Sequence, residues 1–350
     1  MTCTSLALAA LLPLAAIAQA PVQTRVQSGP YKILQTVKVG GEGGFDYVTA
    51  DSDARTLYVA RSGPAGHVSV FNLDTLAQVG DIVGTSAHGA DADAATGHGF
   101  ATSKPVTMFD SKTFAVLKKI DIQGSADGYL NDSIHHRFYV FGRTVPNVTI
   151  LDDKDGSIVG TIDLGGSPEE AVTDERGHIY VALEDKDAIA VIDADTLKLT
   201  GKYDLSSRGG GCAGLAIDAK NNILFASCRD KNNMIILSAS DGHILTDLPI
   251  GVGSDGAVFN PATNEAFSSQ GDGTLTVIKE ITPTSFVVEQ TVKTPVRAKT
   301  ITLDAKTGHL ILITAEFGPV PAAPTEGPRP AGRVRPPMIP GTFSILVVGK

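Results

Sequence analysis

The 350-residue chain has no tryptophan, four methionines, three cysteines and only 6% aromatic residues. A single large aromatic core is therefore excluded, and a chain of this length must be built from two domains or from repeats. Charge is sparse as well, at 19% of residues, with 29 basic side chains against 38 acidic ones and a net charge of −9. That deficit of positive charge argues against nucleic acid or an anionic membrane as partner, because both bind through a basic footprint. A hydrophobic share of 42% excludes a largely disordered chain. No GxSxG elbow, HExxH helix or CxxCH haem site occurs, so the common hydrolase, zinc-protease and cytochrome signatures are missing.

Long apolar runs are also scarce. The one at the N-terminus, LALAALLPLAAIA at Leu6–Ala18, is too short to span a bilayer and reads as the core of a secretory signal over residues 1–20. Small residues permit cleavage after Ala18 or after Ala20, and Pro21 disfavours the second. No Lys or Arg precedes the run, which departs from the usual signal pattern, and Cys3 has no lipobox before it. A periplasmic or secreted protein without membrane insertion is the expectation.

Glycine, at 37 residues, is abundant, and it punctuates a repeat. The phrases DYVTAD, HGADAD, DGYLND, EEAVTD, AGLAID, DGAVFN and KTITLD open at residues 46, 88, 127, 169, 213, 255 and 299, at intervals of 42, 39, 42, 44, 42 and 44 residues. Each is followed by a turn and a second strand such as LYVAR, FYVFG or IYVAL, then by a third and a fourth. Short β-branched runs bounded by Gly, Asp and Asn are strands, and four per unit of this length make a propeller blade. The sequence thus predicts an all-β fold, a seven-bladed β-propeller of four-stranded antiparallel blades over residues 31–350. The last unit ends on its third strand, FSILVVGK, and an orphan strand, YKILQTVKV, precedes the first. The N-terminal strand is expected to complete the last blade and close the ring, which removes a long unpaired edge.

The ending VIDADT of one third strand, the YVAL-type second strands and the phrases GGFDYVTAD, AGLAIDAKNNILFASC and TAEFGP resemble the YncE-like, YVTN-repeat propellers of bacterial periplasms. The resemblance covers residues 31–350 and implies the propeller fold. It implies little about function, because propellers host binders, lyases, hydrolases and cofactor enzymes alike.

The first strand of a propeller blade lines the central channel, so the opening residues should ring one mouth. Six of the seven are ionisable: Asp46, His88, Asp127, Glu169, Asp255 and Lys299, with Ala213 the exception. Such a ring suits a small polar ligand, and His88 with Asp46 and Asp127 could ligate a divalent cation. It is equally what a solvated channel mouth tolerates. Loops on the same face carry Arg61, Arg143, Arg229, Glu184 and Glu316, able to grip a ligand or to pair with the carboxylates. A proline-rich loop, 315–341, is inserted in the last blade and reads as a lid, a docking segment or an irregular surface loop.

Cys212 and Cys228 flank the Asp218–Asn222 turn symmetrically and should face each other across two strands as a disulfide, as befits an exported chain. His135-His136 falls in a turn, and GGGC at Gly209–Cys212 leads into a strand, so neither marks a metal or phosphate site. The reading is a monomeric binding or scaffold protein for a small polar ligand or protein partner. Two enzyme readings stand beside it: a hydrolase or lyase in the funnel, with or without a divalent metal, and a quinoprotein or haem d1-like oxidoreductase by fold kinship.

Overall fold

The computed structural model describes residue 1, residues 28–320 and residues 336–350. The secretory-signal segment and its cleavage positions lie outside the described residues, as does the middle of the 315–341 loop. Seven four-stranded antiparallel sheets follow one another around a ring, and one 3-10 turn, Glu184–Lys186, is the sole helical element among the described residues. No described helix is long and apolar enough to cross a membrane.

The pattern within a blade follows from where each strand sits. Middle strands such as Ile223–Cys228 and Ser344–Gly349 are buried throughout, which is why they read as continuous apolar runs. Outer strands such as Val116–Ile120 are exposed along nearly their whole length. The core is divided into seven apolar clusters, each shared by two neighbouring blades. Between the third and fourth blades, for example, Tyr139, Phe141 and Ile150 pack on Ile179, Val181 and Ile192. Small interfaces repeated around a ring are filled by aliphatic side chains with a few Phe and Tyr rings and leave no place that requires tryptophan.

Closure is as the sequence predicts. Lys32–Lys38 pairs antiparallel with Ser344–Gly349, from Lys32↔Gly349 to Lys38↔Ser344 with one register shift between Ile33 and Gln35. A latch reinforces the join between the seventh and first blades: Arg55 donates to both oxygens of Asp304 at 2.7 and 2.8 Å and to Asp74.

The disulfide is formed, between Cys212 and Cys228 with Cα atoms 3.8 Å apart. The register corrects the simple symmetry argument. Asp218↔Ile223 and Gly214↔Ser227 pair about a centre half a residue away from the cysteine midpoint, and a β-bulge between Cys212 and Gly214 restores the facing of Cys212 and Cys228.

The base of the proline-rich insertion is tied down. Gly318 N donates to Pro337 O and Ile339 N to Glu316 O, both at 2.8 Å, around a Phe317↔Met338 bridge. Proline excludes extended pairing, yet this one bridge uses positions that keep their N–H groups.

Candidate functional site

The channel mouth is assembled at irregularities of the innermost strands. In the first blade the pairing jumps from Phe45↔Arg61 to Val48↔Val59, so Asp46 and Tyr47 together oppose one residue. In the fourth it jumps from Pro168↔Leu183 to Ala171↔Val181 around Glu169 and Glu170. A further shift falls at Asp255, between Ser254 and Gly256. Bulges re-aim side chains, and here two consecutive residues of one strand both reach the channel. His88, Asp127 and Lys299 sit just ahead of their strands, Ala90–Asp93, Tyr129–Asp132 and Ile301–Asp304.

The six ionisable ring residues are brought into one network with two of the loop arginines. His88 Nδ1 lies 3.0 Å from Asp46 Oδ2 and 3.3 Å from Asp127 Oδ1. Arg143 reaches Asp127 at 3.4 Å, Glu184 at 3.3 Å and also Glu169. Arg229 binds Glu184 and Asp255, and Lys299 binds Asp255. The chain of charges therefore runs from the first blade to the seventh. Five carboxylates (Asp46, Asp127, Glu169, Glu184, Asp255) meet three permanent cations (Arg143, Arg229, Lys299) and the His88 imidazole, so the mouth is rich in carboxylates.

The crowding and burial of these groups show in their protonation energetics. Burial raises the Asp127 carboxyl, and burial together with the hydrogen bond to Glu184 pushes Glu169 up to about 8. The hydrogen bond to Asp46 holds the His88 imidazole above its ordinary value.

Arg61 is not part of the network. It is 1% exposed, donates to the carbonyls of Gly40 and Gly43 at 3.4 Å, and stacks over the Phe343 ring at 3.9 Å. Burial lowers it to about 10. Glu316 is equally remote, paired with Lys38 at 3.0 Å.

Two residues that the sequence did not single out form the floor. Tyr47 packs edge-on against Tyr129 with ring centroids 5.6 Å apart, and Tyr129 in turn bonds Thr49. Glu170 crosses the channel, its Oε2 accepting from Leu215 N at 2.7 Å and Ala257 N at 3.0 Å, in the next two blades. Burial pushes its carboxyl up to about 8. The neighbouring positions are glycines because there is no room for more: a Cβ on Gly128 would lie 3.2 Å from the Tyr47 hydroxyl, and one on Gly256 would lie 3.3 Å from Glu170 Oε1. The signal was present in the repeat, where the residues after the ring read Tyr47, Gly89, Gly128, Glu170, Gly214, Gly256 and Thr300. Two large side chains among four glycines mark a filled channel.

One ligand atom each from Asp46, His88 and Asp127 lies within 4.8 Å of the others, a donor set of two carboxylates and an imidazole that fits a divalent first-row cation. His88 would have to give up the proton it shares with the two carboxylates to serve as a ligand.

No family model and no curated protein matches the chain. Solved structures do. A chain in the crystal structure of the mitotic checkpoint complex aligns at TM-score 0.68 with 12% identity, over 87% of this chain and 94% of that one. The WD40 repeats of RRP9 align at TM-score 0.69 with 8% identity, over 93% of this chain and 99% of that one. The hydrazine synthase of Kuenenia stuttgartiensis aligns at TM-score 0.59 with 16% identity, over 69% of this chain and 84% of that one. At these identities the likeness establishes the β-propeller fold and nothing finer.

Proposed function

We propose that the protein is an exported propeller of the YncE-like kind that binds a small, polar, cation-bearing ligand at the channel mouth. The observation that carries this reading is the joined, carboxylate-rich ring of side chains around Tyr47 and Glu170. A propeller used only as a scaffold has no need for unlike charged residues at equivalent positions of successive blades. The disulfide supports export, since such bonds persist in oxidising compartments.

The test is a thermal-shift screen of divalent cations, aliphatic amines and amino acids against wild type, His88→Ala and Asp127→Ala. Stabilisation of wild type that both variants lose is expected; equal stabilisation of all three would remove the mouth as the site.

The Asp46, His88 and Asp127 geometry favours one second reading, a hydrolase or lyase that uses a bound divalent metal as Lewis acid. Elemental analysis of the purified protein before and after chelation separates the two. A stoichiometric metal lost with chelation supports the enzyme reading, and its absence from the protein as purified supports the binding module.

A further inference from the structure

The seven-fold repeat supplies an internal control for cavities between blades. In the outer strands, one position beside a β-bulge faces the turn of the next blade. In the first blade it is Gly80, covered by the Phe114 ring, and in the third it is Gly160, whose added Cβ would lie 3.1 Å from Leu197. In the second blade it is Lys118, whose Nζ crosses to Asp155 O at 3.0 Å beside Gly156. Each of these three junctions therefore has at least one large side chain. Between the fourth and fifth blades neither of these two positions carries a side chain: the strand position is Gly201, with nothing within 4 Å of an added Cβ, and the turn residue is Gly242 at φ +75, set against the Tyr203 ring.

The result is a hollow of about 610 Å³, on the edge of the ring away from the mouth network. Its rim is polar, with exposed Arg176, His178, Thr200, Asn222 and Ser240, and its wall is a row of rings. His178, Tyr180 and Tyr203 follow one another at centroid separations of 6.3 and 6.4 Å with planes tilted by 29° and 31°. Both tyrosine hydroxyls donate to Ala239 O, at 3.0 and 2.8 Å, which fixes the wall. The charges cancel: Asp174, almost wholly buried, accepts from His178 at 2.9 Å and lies 3.8 Å from the Arg176 guanidinium. Arg176 also donates to Ala219 O at 2.7 Å and to Asn222.

From these features we infer that the hollow is a second binding site, for a neutral polyhydroxylated ring, that is, a sugar residue of a saccharide. An anion would find the guanidinium charge offset by the Asp174 carboxylate 3.8 Å away and by the carbonyl and amide oxygens that Arg176 Nη2 already binds. A purely apolar ligand would strand the polar rim. A pyranose ring presents apolar C–H edges to the Tyr203 side and hydroxyls to the mixed donors and acceptors of Arg176, Asn222, Thr200 and Ser240. The volume lies within the range of small-molecule sites.

The experiment is calorimetric titration of maltotriose, cellotriose, chitotriose and inorganic phosphate into wild type, Gly201→Lys and His88→Ala. Gly201→Lys imitates the second blade and fills open space. At least one trisaccharide is expected to bind wild type and His88→Ala alike, and to bind Gly201→Lys about ten-fold or more weakly at an unchanged or higher melting temperature. If Gly201→Lys does not fold, Ser240→Tyr at the exposed rim is expected to give the same loss. The inference is overturned if no trisaccharide binds, if phosphate alone binds, or if filling the hollow leaves saccharide affinity intact. The His88→Ala arm keeps this outcome separate from the fate of the channel-mouth reading.

Discussion

The two ends of each innermost strand use the same side chains for opposite purposes. At the end away from the mouth, six of the seven repeats close on Asp and one on Asn, and each caps its own turn. Asp51 accepts from Ala54 N at 2.8 Å, Asp93 from Ala95 N at 2.8 Å, Asp174 from Arg176 N at 2.8 Å and Asn260 from Ala262 N at 3.0 Å. These are local bonds that hold tight turns, and they recur because the turn recurs. At the mouth the residue differs from blade to blade, and most of the ion pairs join different blades. A carboxylate repeated around the ring is part of the fold. One that varies while its neighbours converge on it is what the proposed site is built from.

Breaking the structural end should cost the most. Arg55→Ala is expected to lower stability by about 3–5 kcal/mol, because it leaves Asp304, 3% exposed, buried without its partner. Burial opposes ionisation of Asp304, but the Arg55 hydrogen bonds prevail and hold the carboxyl well below the ordinary range. That contribution is present above the unfolded pKa of about 4 and is lost as pH falls through the lower folded value, so the gap between wild type and variant should close in acid. A urea-denaturation difference below about 1 kcal/mol at pH 7 would show the latch to be idle.

The disulfide comes next. Replacing Cys212 and Cys228 by Ala should cost about 3 kcal/mol for a loop of this size. The same denaturation series checks it, and an unchanged midpoint would argue against the bond.

Asp153 sharpens the comparison from the other side. It is a buried carboxylate at the structural end whose two oxygens have no hydrogen-bond partner among the described residues, and burial raises it to about 8. The unfolded chain ionises it near pH 4 while the folded chain keeps it neutral until about 8, so its penalty grows across that window. Asp153→Asn should therefore stabilise the fold by about 1–3 kcal/mol at pH 8.5, and by little at pH 4. A difference independent of pH would contradict this. Smallest of all should be Asp127→Asn at the mouth, within about 1 kcal/mol, because its partner Arg143 is half-exposed.

The period of the repeat made the blades, their closure and the ring residues legible, since all three depend on spacing alone. Tyr47 and Glu170 left only a faint mark in the repeat, as two large side chains among four glycines, because strict alternation along a strand turns the residue after Asp46 or Glu169 away from the channel. Only the bulges turn it back. Arg61 was misleading for a related reason: it ends the same kind of strand as Arg143 and Arg229, but a glycine-rich loop folds over it and buries it. The hollow over Gly201 depends on a glycine whose significance is not visible until the blades are stacked.

The contrast between the two ends can be measured in one experiment. Both ends are rich in carboxylates, so a cation free to choose will report which set is arranged to receive one. Manganese(II) titrated into isotope-labelled protein broadens amide resonances near wherever it binds. The account predicts early loss of Tyr47, His88, Asp127 and Gly128, with Ala54, Ala95, Lys220 and Lys306 at the opposite turns retained. Broadening that starts at those turns, or spreads equally over both ends, would contradict a ligand site at the channel mouth.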